Sequence, residues 1–248
     1  MMNRKEFQQY LQETIKDYLP ESYADAKITF NEVIKNNDTH LTGISIAKPG
    51  EHVVPNIYIE NFWNDYQNGK NIDEIVGDIA DMRIEYDTPG IGPEVTQKLM
   101  NYDAVKESLQ IRLCDTQENQ ERLANLVHTE HSDFSATYHV NLQETEEGTA
   151  SMAVTQDLLE TWGVSVDQLH QDALAADMNR DPMFCDMGSM MESMMFGAEP
   201  KNLLDGNPDQ GAGMGMYCLT NGTKVDGAGL ILQGNLMQQI GEIVGGDF

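Results

Sequence analysis

Six methionines within thirteen positions are the residues of this sequence whose type and spacing most clearly suggest chemistry. They are Met183, Met187, Met190, Met191, Met194 and Met195. Thioether sulfur suits soft metals such as Cu(I), although copper sites favour closer Met-x-Met spacing. At helical spacing these side chains share one face, which predicts a helix that buries this face in the protein core. The alternative is a pliable methionine surface that receives a protein partner.

Histidines are the next candidates, because two of them flank a carboxylate in His128-Thr129-Glu130-His131. The order differs from HExxH, which places two zinc ligands on one face of a helix. An extended segment is expected here, so His128 and His131 should point to opposite faces and are interpreted as surface residues. The remaining histidines have no close sequence partner that suggests a catalytic pair: His40, His52, His139 and His170.

An acidic segment and two glycine motifs resemble ligand-binding signatures without matching them. Asp177–Asp181 starts like an EF-hand loop, but Pro182 and Gly188 occupy the positions that need glycine and a bidentate glutamate. We interpret this segment as a cap before a helix that Pro182 opens. The glycines at 211–215 precede a predicted strand, which is the wrong order for a phosphate-binding loop that opens a helix. Residues 245–248 resemble the signature of cyclic-dinucleotide synthases, but a helix cap at Gly245 explains their glycines better. We therefore predict no metal ion and no cofactor.

Charge limits the partners of the chain more than any motif does. The sequence has 41 Asp and Glu against 15 Lys and Arg, which gives a formal net charge of −26. A surface of this sign repels nucleic-acid backbones and anionic lipid, so neither nucleic acid nor a membrane is an expected partner. Another protein is the possible partner that remains, and the sequence gives no prediction of oligomeric state.

The chain length and the cysteines suggest a compartment. At 248 residues the chain can bury a sizeable core. It begins with an amphipathic segment instead of a secretory signal, and no apolar run is long enough to span a bilayer. Three widely spaced cysteines without a CxxC motif are typical of reduced thiols. We predict a cytoplasmic protein.

Periodicity and turn signals predict an α+β fold with mostly antiparallel sheets and flanking helices, in which strand pairs followed by helices recur. A helix at whose start Asn3 and Glu6 resemble a capping box, a hairpin over Lys27–Ala47 and an edge strand near Pro55 open the chain. Further along we predict helices over Gln156–Trp162 and Met183–Phe196 and a strand pair, Met214–Asn221 with Gly227–Leu232. The Pro/Gly-rich segment 88–93 is the predicted linker between an N-terminal α+β subdomain, 1–87, and an acidic C-terminal α+β subdomain, 94–248.

Several segments also resemble a family. They are 31–37, 55–59, 62–69, 154–170, 219–221, 227–229 and 245–248. In this order they resemble a domain-of-unknown-function family of bacteria, from gut-type Gram-positive anaerobes, over nearly the whole chain. The resemblance implies no activity, cofactor or catalytic residue. It also implies that family members continue beyond Phe248, so that the chain ends before the family's C-terminal segment.

These observations predict a non-catalytic, cytoplasmic protein-interaction module with a strongly acidic surface. The evidence is the charge, the methionine cluster and the lack of a recognisable catalytic signature. One alternative is a metal-assisted hydrolase that uses carboxylates of the acidic half. The other is an acidic mimic of nucleic acid.

Overall fold

The computed structural model describes residues 1–51, 54–86, 93–145, 148–206, 215–224 and 226–245. Its helices and antiparallel sheets confirm the predicted α+β class. Internal contacts divide the chain into two compact units. The N-terminal unit is Met1–Asn101 with Glu118–Arg122, and the C-terminal unit is Tyr102–Gln117 with Leu123–Phe248. Most of the predicted linker, 88–92, lies outside the described residues, and the predicted boundary there stays a prediction.

The N-terminal unit packs helices on a three-stranded antiparallel sheet. Its elements are α1 (Arg4–Thr14), β1 (Lys27–Lys35), β2 (Thr39–Ala47), β3 (Asn56–Tyr58), α2 (Glu60–Gln67), α3 (Ile72–Glu85) and α4 (Pro93–Leu99). The strand order β1-β2-β3 puts β3 at an edge, as Pro55 predicts. The predicted capping box of α1 is present: the Asn3 carboxamide accepts the Glu6 N–H at 3.0 Å, and the Glu6 carboxylate accepts the Asn3 N–H at 2.8 Å.

The tip of the β1–β2 hairpin holds a segment from much later in the chain. Asn37 and Asp38 have φ of 59° and 44°, a left-handed conformation that Asn and Asp tolerate better than most residues. The Asp38 carboxylate accepts the backbone N–H groups of Glu121 and Arg122, both at 2.9 Å. The Asn119 side chain accepts the Asn37 N–H at 2.8 Å. These bonds attach residues 118–122 to the N-terminal unit.

Helix α3 is fastened to β2 by a buried arginine. Arg83 is 1 % exposed, and its Nε donates to the Ile46 carbonyl at 2.9 Å. Its Nη2 donates to the Glu51 carboxylate at 2.8 Å, and the guanidinium lies over the Tyr23 ring at 5.0 Å. A buried charge needs such partners, because removing one leaves an uncompensated ion in a low-dielectric interior.

The described residues of the C-terminal unit form two antiparallel sheets. Its elements are α5 (Tyr102–Val105), β4 (Leu109–Asp115), α6 (Gln120–Leu123, whose first three residues belong to the N-terminal unit), β5 (His128–His131), β6 (Phe134–Thr145), β7 (Gly148–Ala153), α7 (Gln156–Trp162), α8 (Val166–Met178), β8 (Met183–Asp186), α9 (Met187–Phe196), β9 (Tyr217–Thr220) and α10 (Gly234–Val244). Strand β6 pairs with β4, β5 and β7, and α8 packs against β4. Strands β8 and β9 form the second sheet.

The predicted helix over Met183–Phe196 is wrong in its first turn. Met183–Asp186 is strand β8, because it pairs in register with β9. Asp186 then caps α9, since its carboxylate accepts the N–H groups of Gly188 at 2.9 Å and Ser189 at 3.4 Å. The helix predicted to open at Pro182 is wrong for the same reason: Pro182 precedes a strand.

The predicted strand Gly227–Leu232 is also wrong, because Ala228–Leu232 is a 3₁₀ helix. Gly227 has a φ of 156°, and a Cβ on Gly229 would lie 2.7 Å from the Ile111 Cβ. The segment therefore packs closely against β4 instead of pairing with β9, whose partner is β8. No helix of the described residues is both long and apolar enough to cross a membrane.

Candidate functional site

Helix α9 carries three exposed methionines at positions i, i+3 and i+4, Met191, Met194 and Met195, which we call the methionine face, and ends in an exposed Phe196. Their exposed fractions are 49 %, 80 %, 69 % and 76 %. Met190 is 6 % exposed, whereas Met183 on β8 and Met187 are half-buried. The predicted core-facing helix is therefore correct for Met190 and wrong for the three exposed methionines. The structure does not place the six methionines on one helical surface, because Met183 belongs to a strand.

Polar contacts hold α9 at its two ends and along its inner side. Gly197 ends the helix in a left-handed conformation, with φ of 68°, and donates its N–H to the Ser193 carbonyl at 2.9 Å. The Ser193 hydroxyl accepts from Lys224 at 3.0 Å, and the Ser189 hydroxyl accepts the Lys201 N–H at 2.9 Å. The methionine face is thus presented by a helix whose opposite side is anchored.

The chemistry of the methionine face favours contact over catalysis. Methionine is flexible and polarizable, so a surface made of it adapts to differently shaped apolar side chains. Helix α9 contains one ionisable residue, Glu192, which is exposed. Large exposed apolar side chains that lie together on one element are unusual on a protein that acts alone.

A second candidate site is a chain of four hydrogen-bonded side chains, which we call the imidazole relay: His131, Thr129, Tyr138 and His170. The His131 Nε2 lies 3.2 Å from the Thr129 hydroxyl, which lies 2.8 Å from the Tyr138 hydroxyl. The Tyr138 hydroxyl lies 2.8 Å from the His170 Nδ1. The two imidazole ring centroids are 5.8 Å apart.

Strand pairing and one helix assemble this relay. Thr129 is opposite Ala136 in the β5–β6 pair, so Tyr138, two residues on, shares its face of the sheet. His131 lies on that face too and stacks on Phe134 with centroids 5.5 Å apart. Helix α8 brings His170 to the relay. His128 is three residues from His131 on β5, so the expectation that the two point to opposite faces is confirmed by the strand.

Counting protons shows what the relay can do. Each hydroxyl supplies one proton, so all three hydrogen bonds are satisfied when every proton points toward His170 or every proton points toward His131. In either arrangement one imidazole donates into the relay and the other accepts from it. If both imidazoles were charged, both would donate inward and one hydroxyl proton would have no acceptor. The relay therefore accommodates one extra proton, and it can move that proton between its two ends.

The pKa values of His170 and Tyr138 agree with a relay that carries at most one extra proton. Burial lowers the pKa of His170 below its ordinary value, and the neighbouring His131 lowers it further, while Asp167 opposes both effects. Burial raises the pKa of Tyr138 to about 12, so its hydroxyl stays protonated near neutral pH. Because the folded pKa of His170 lies below the unfolded one, its contribution to stability is fully present above the unfolded pKa and is lost as the pH falls from there through the folded pKa.

Replacing His131 with asparagine should raise the pKa of His170, because the charge repulsion from the other imidazole is removed. The value should stay below the ordinary one, since burial remains. Titration of the ring Cε1–H signals by NMR measures this directly. His40→Asn, in the N-terminal unit, is the matched control and should leave His170 unchanged. An unaltered His170 titration in the His131 variant would contradict the coupling of the two rings.

The acidic segment that resembles a calcium loop has a structural role instead. Asp177 lies in α8, 7 % exposed, and its carboxylate accepts from Arg180 at 2.9 Å and from the Ile111 N–H at 3.3 Å. Burial raises its pKa to about 6, although Arg180 opposes the shift. Within the described ranges, no group of three His, Cys, Asp or Glu side chains could hold a metal ion. The glycine motif at 211–215 lies outside the described residues except for Gly215, as do residues 246–248.

Sequence reasoning missed the imidazole relay. Its members are far apart in the chain and come together only through strand pairing and the docking of α8. One usable signal was present: Thr129 and His131 alternate on a strand that is followed, after a short turn, by a second alternating run containing Tyr138.

Comparison with known proteins adds a family and no activity. No curated protein and no solved structure matches the chain. A family model does match, over residues 4–248 and therefore over nearly the whole sequence. The chain belongs to the family of unknown function DUF5688.

Proposed function

We propose that this protein binds another protein through the methionine face, and that the bound segment is amphipathic and basic. The observation that supports the proposal is the exposure of three methionines and a phenylalanine on one anchored helix. Apolar side chains of the partner would pack against the flexible thioethers, as in other recognition modes that seat an apolar helical face on a methionine-rich surface.

Charge selects a basic partner. The chain carries a net charge of −26, so a second copy or any acidic protein is repelled as it approaches. Lysine or arginine residues flanking an apolar stripe are attracted by the same field, which raises the association rate most strongly at low salt. The protein is therefore not expected to self-associate, and dimerisation would count against the proposal.

The test uses a lysine-rich amphipathic helical peptide with leucines on one face as the probe. We expect binding that weakens with salt and falls at least about tenfold when Met191, Met194 and Met195 are changed together to glutamine, which has similar length and helix propensity. The matched control changes exposed methionines elsewhere, Met100 and Met178, to glutamine and should bind as the wild type does. Equal binding by the triple variant, equal binding of a glutamate-rich peptide, or dimerisation in sedimentation would overturn the proposal.

In the nucleic-acid-mimic alternative, the partner is a DNA-binding protein, and it does not contact the methionine face. Both proposals agree that the chain does not bind nucleic acid. At physiological salt we expect no binding to duplex DNA or RNA, because the chain would have to bring its negative charge against phosphates. Salt-sensitive binding at sub-micromolar concentration in a gel-shift assay would show this expectation to be wrong.

An enzymatic alternative is favoured by one observation, the imidazole relay, which could supply an acid and a base to a proton-transfer reaction. The hydrolase based on carboxylates requires a metal site instead. If the carboxylates are only solvated, Mn²⁺ and Mg²⁺ should raise the melting temperature no more than monovalent salt at equal ionic strength. A saturable increase specific to one ion would favour the hydrolase.

A cytoplasmic location and a bacterial source belong to the same proposal. The location is supported by the sequence, in which the three cysteines, Cys114, Cys185 and Cys218, are widely spaced and form no CxxC motif. The source is supported by the resemblance of the chain segments described above. Fractionation of native cells and detection of the protein by a specific antibody would test the location.

A further inference from the structure

Two of the three cysteines lie directly opposite each other in the β8–β9 sheet. The register pairs Cys185 with Cys218, so their side chains project from the same face of the two-stranded sheet. Cys185 is fully buried, whereas Cys218 is partly exposed. The third, Cys114, lies on β4 in the other sheet of this unit. The folded chain therefore brings together one specific pair of thiols from residues 33 positions apart.

The hydrogen-bond pattern gives the spacing of this pair. Met187 donates its N–H to the Met216 carbonyl at 3.0 Å, while the Phe184 N–H is directed to the Asn202 side chain at 3.0 Å and not to β9. Hydrogen-bonded and non-hydrogen-bonded pairs alternate along antiparallel strands, so Cys185 and Cys218 form a hydrogen-bonded pair. The Cα atoms of such pairs are about 5.5 Å apart. This separation lies within the range of about 4.4–6.8 Å found in disulfides.

We propose that Cys185 and Cys218 form a reversible disulfide by exchange with a low-molecular-weight disulfide such as oxidised glutathione. Their Cβ atoms must approach by more than about 1 Å, because a hydrogen-bonded pair lies at the wider end of the cross-strand Cβ separations of about 4.5–5.5 Å, whereas a relaxed disulfide needs roughly 3.8 Å. Two-stranded ribbons twist more readily than larger sheets, so the short β8–β9 pair can accommodate the approach. The residual strain makes the bond easier to reduce than a structural disulfide, which is why it is reversible.

The difference in exposure sets the order of the two steps. The Cys218 thiolate attacks the external disulfide, forms a mixed disulfide and releases one glutathione thiolate, which takes up a proton. The Cys185 thiolate then attacks the Cys218 sulfur, the Cys185–Cys218 bond forms, and the second glutathione leaves. Two electrons pass from the protein to the external disulfide, and the two protons of the cysteines end on the two released thiols. Burial raises the pKa of the Cys185 thiol, the adjacent Cys218 raises it further, and Lys224 opposes these effects, which suits Cys185 to the second step.

The position of the pair relates it to the methionine face. Cys185 immediately precedes Asp186, the residue that caps α9. Lys224, which is close enough to affect the Cys185 thiol, also donates to Ser193 on the inner side of α9. A cross-link at this point therefore fastens the base of the helix that carries the methionine face.

The experiment incubates the folded, reduced protein with oxidised glutathione and maps disulfides by mass spectrometry without reduction. The expected product has lost two hydrogen atoms and contains the Cys185–Cys218 linkage, and dithiothreitol reverses it. Cys114→Ser should give the same product. Cys185→Ser should stop at glutathione attached to Cys218.

Three results would overturn the proposal. They are a stable glutathione adduct in the wild type without an internal linkage, a linkage that involves Cys114, and a Cys185–Cys218 linkage that forms no faster in the folded protein than in urea. The wild-type and Cys114→Ser measurements do not depend on the folding of a Cys185 or Cys218 variant. They therefore decide the question even if those variants are unstable.

Discussion

Replacement of Met190 by alanine is expected to lower the free energy of unfolding by about 2–5 kcal/mol, whereas the same replacement at Met194 should leave it unchanged within about 0.5 kcal/mol. The two residues are four positions apart on α9, and alanine has the highest helix propensity, so helix formation itself is not weakened. The difference comes from burial. Met190 is 6 % exposed and leaves a cavity when it is shortened, while Met194 is 80 % exposed and leaves none.

Urea unfolding of both variants measures this difference in the free energy of unfolding. If the variants have equal m-values, the difference between their midpoints reports the difference in stability. A loss of several kcal/mol at Met194 would mean that the methionine face is covered by the protein itself. In that case the proposed partner surface does not exist. Equal and small effects at both positions would mean instead that α9 packs weakly along its whole length.

Replacement of Gly229 by alanine is the second change with a large expected effect, a loss of about 2–3 kcal/mol. A Cβ at this position would lie 2.5 Å from the Asp177 Oδ2 and 2.7 Å from the Ile111 Cβ. Neither neighbour can move easily. The Asp177 carboxylate is held by Arg180 and by the Ile111 N–H, and the Ile111 Cβ is attached directly to the backbone of β4.

Gly234→Ala is the matched control for this prediction. No atom of the described residues lies within 4 Å of a Cβ there, and Gly234 is the first residue of α10. The substitution should stabilise the protein by about 0.4–1 kcal/mol, because it reduces the freedom of the unfolded chain. The same chemical change is thus expected to have opposite signs at two sites five residues apart. Stabilisation or no effect at Gly229 would show that the 3₁₀ helix over Ala228–Leu232 does not pack closely against β4 and α8.

The elements that the sequence predicted correctly are those determined by neighbouring residues. The capping box of Asn3 and Glu6 acts within one turn of α1, and the Asn-rich turn after Lys35 closes a hairpin between adjacent runs. The helix over Gln156–Trp162 was predicted with its observed bounds, because Thr155 caps it and Gly163 ends it. Each of these signals lies within a few residues of the structure it determines.

The incorrect predictions depend on partners that are distant in the chain. Met183–Asp186 has a composition compatible with helix or strand, and pairing with Tyr217–Thr220 decides between them. Leu230-Ile231-Leu232 is a short apolar run that is compatible with a buried strand, yet the close approach of Gly229 to β4 decides against it. The imidazole relay and the Cys185–Cys218 pair could not be predicted for the same reason: both exist only after strands and helices have docked.

The attachment of residues 118–122 to the β1–β2 hairpin has a consequence for synthesis on the ribosome. Most of the N-terminal unit, up to Asn101, is synthesised before Glu118–Arg122. Translation at roughly 5–20 residues per second delays this last piece by a time of the order of seconds. During that interval the Asp38 carboxylate lacks the backbone N–H groups that it later accepts. Tyr102–Gln117 of the C-terminal unit is therefore made before the N-terminal unit is complete, and the N-terminal unit can acquire its full set of contacts only after that stretch has been synthesised.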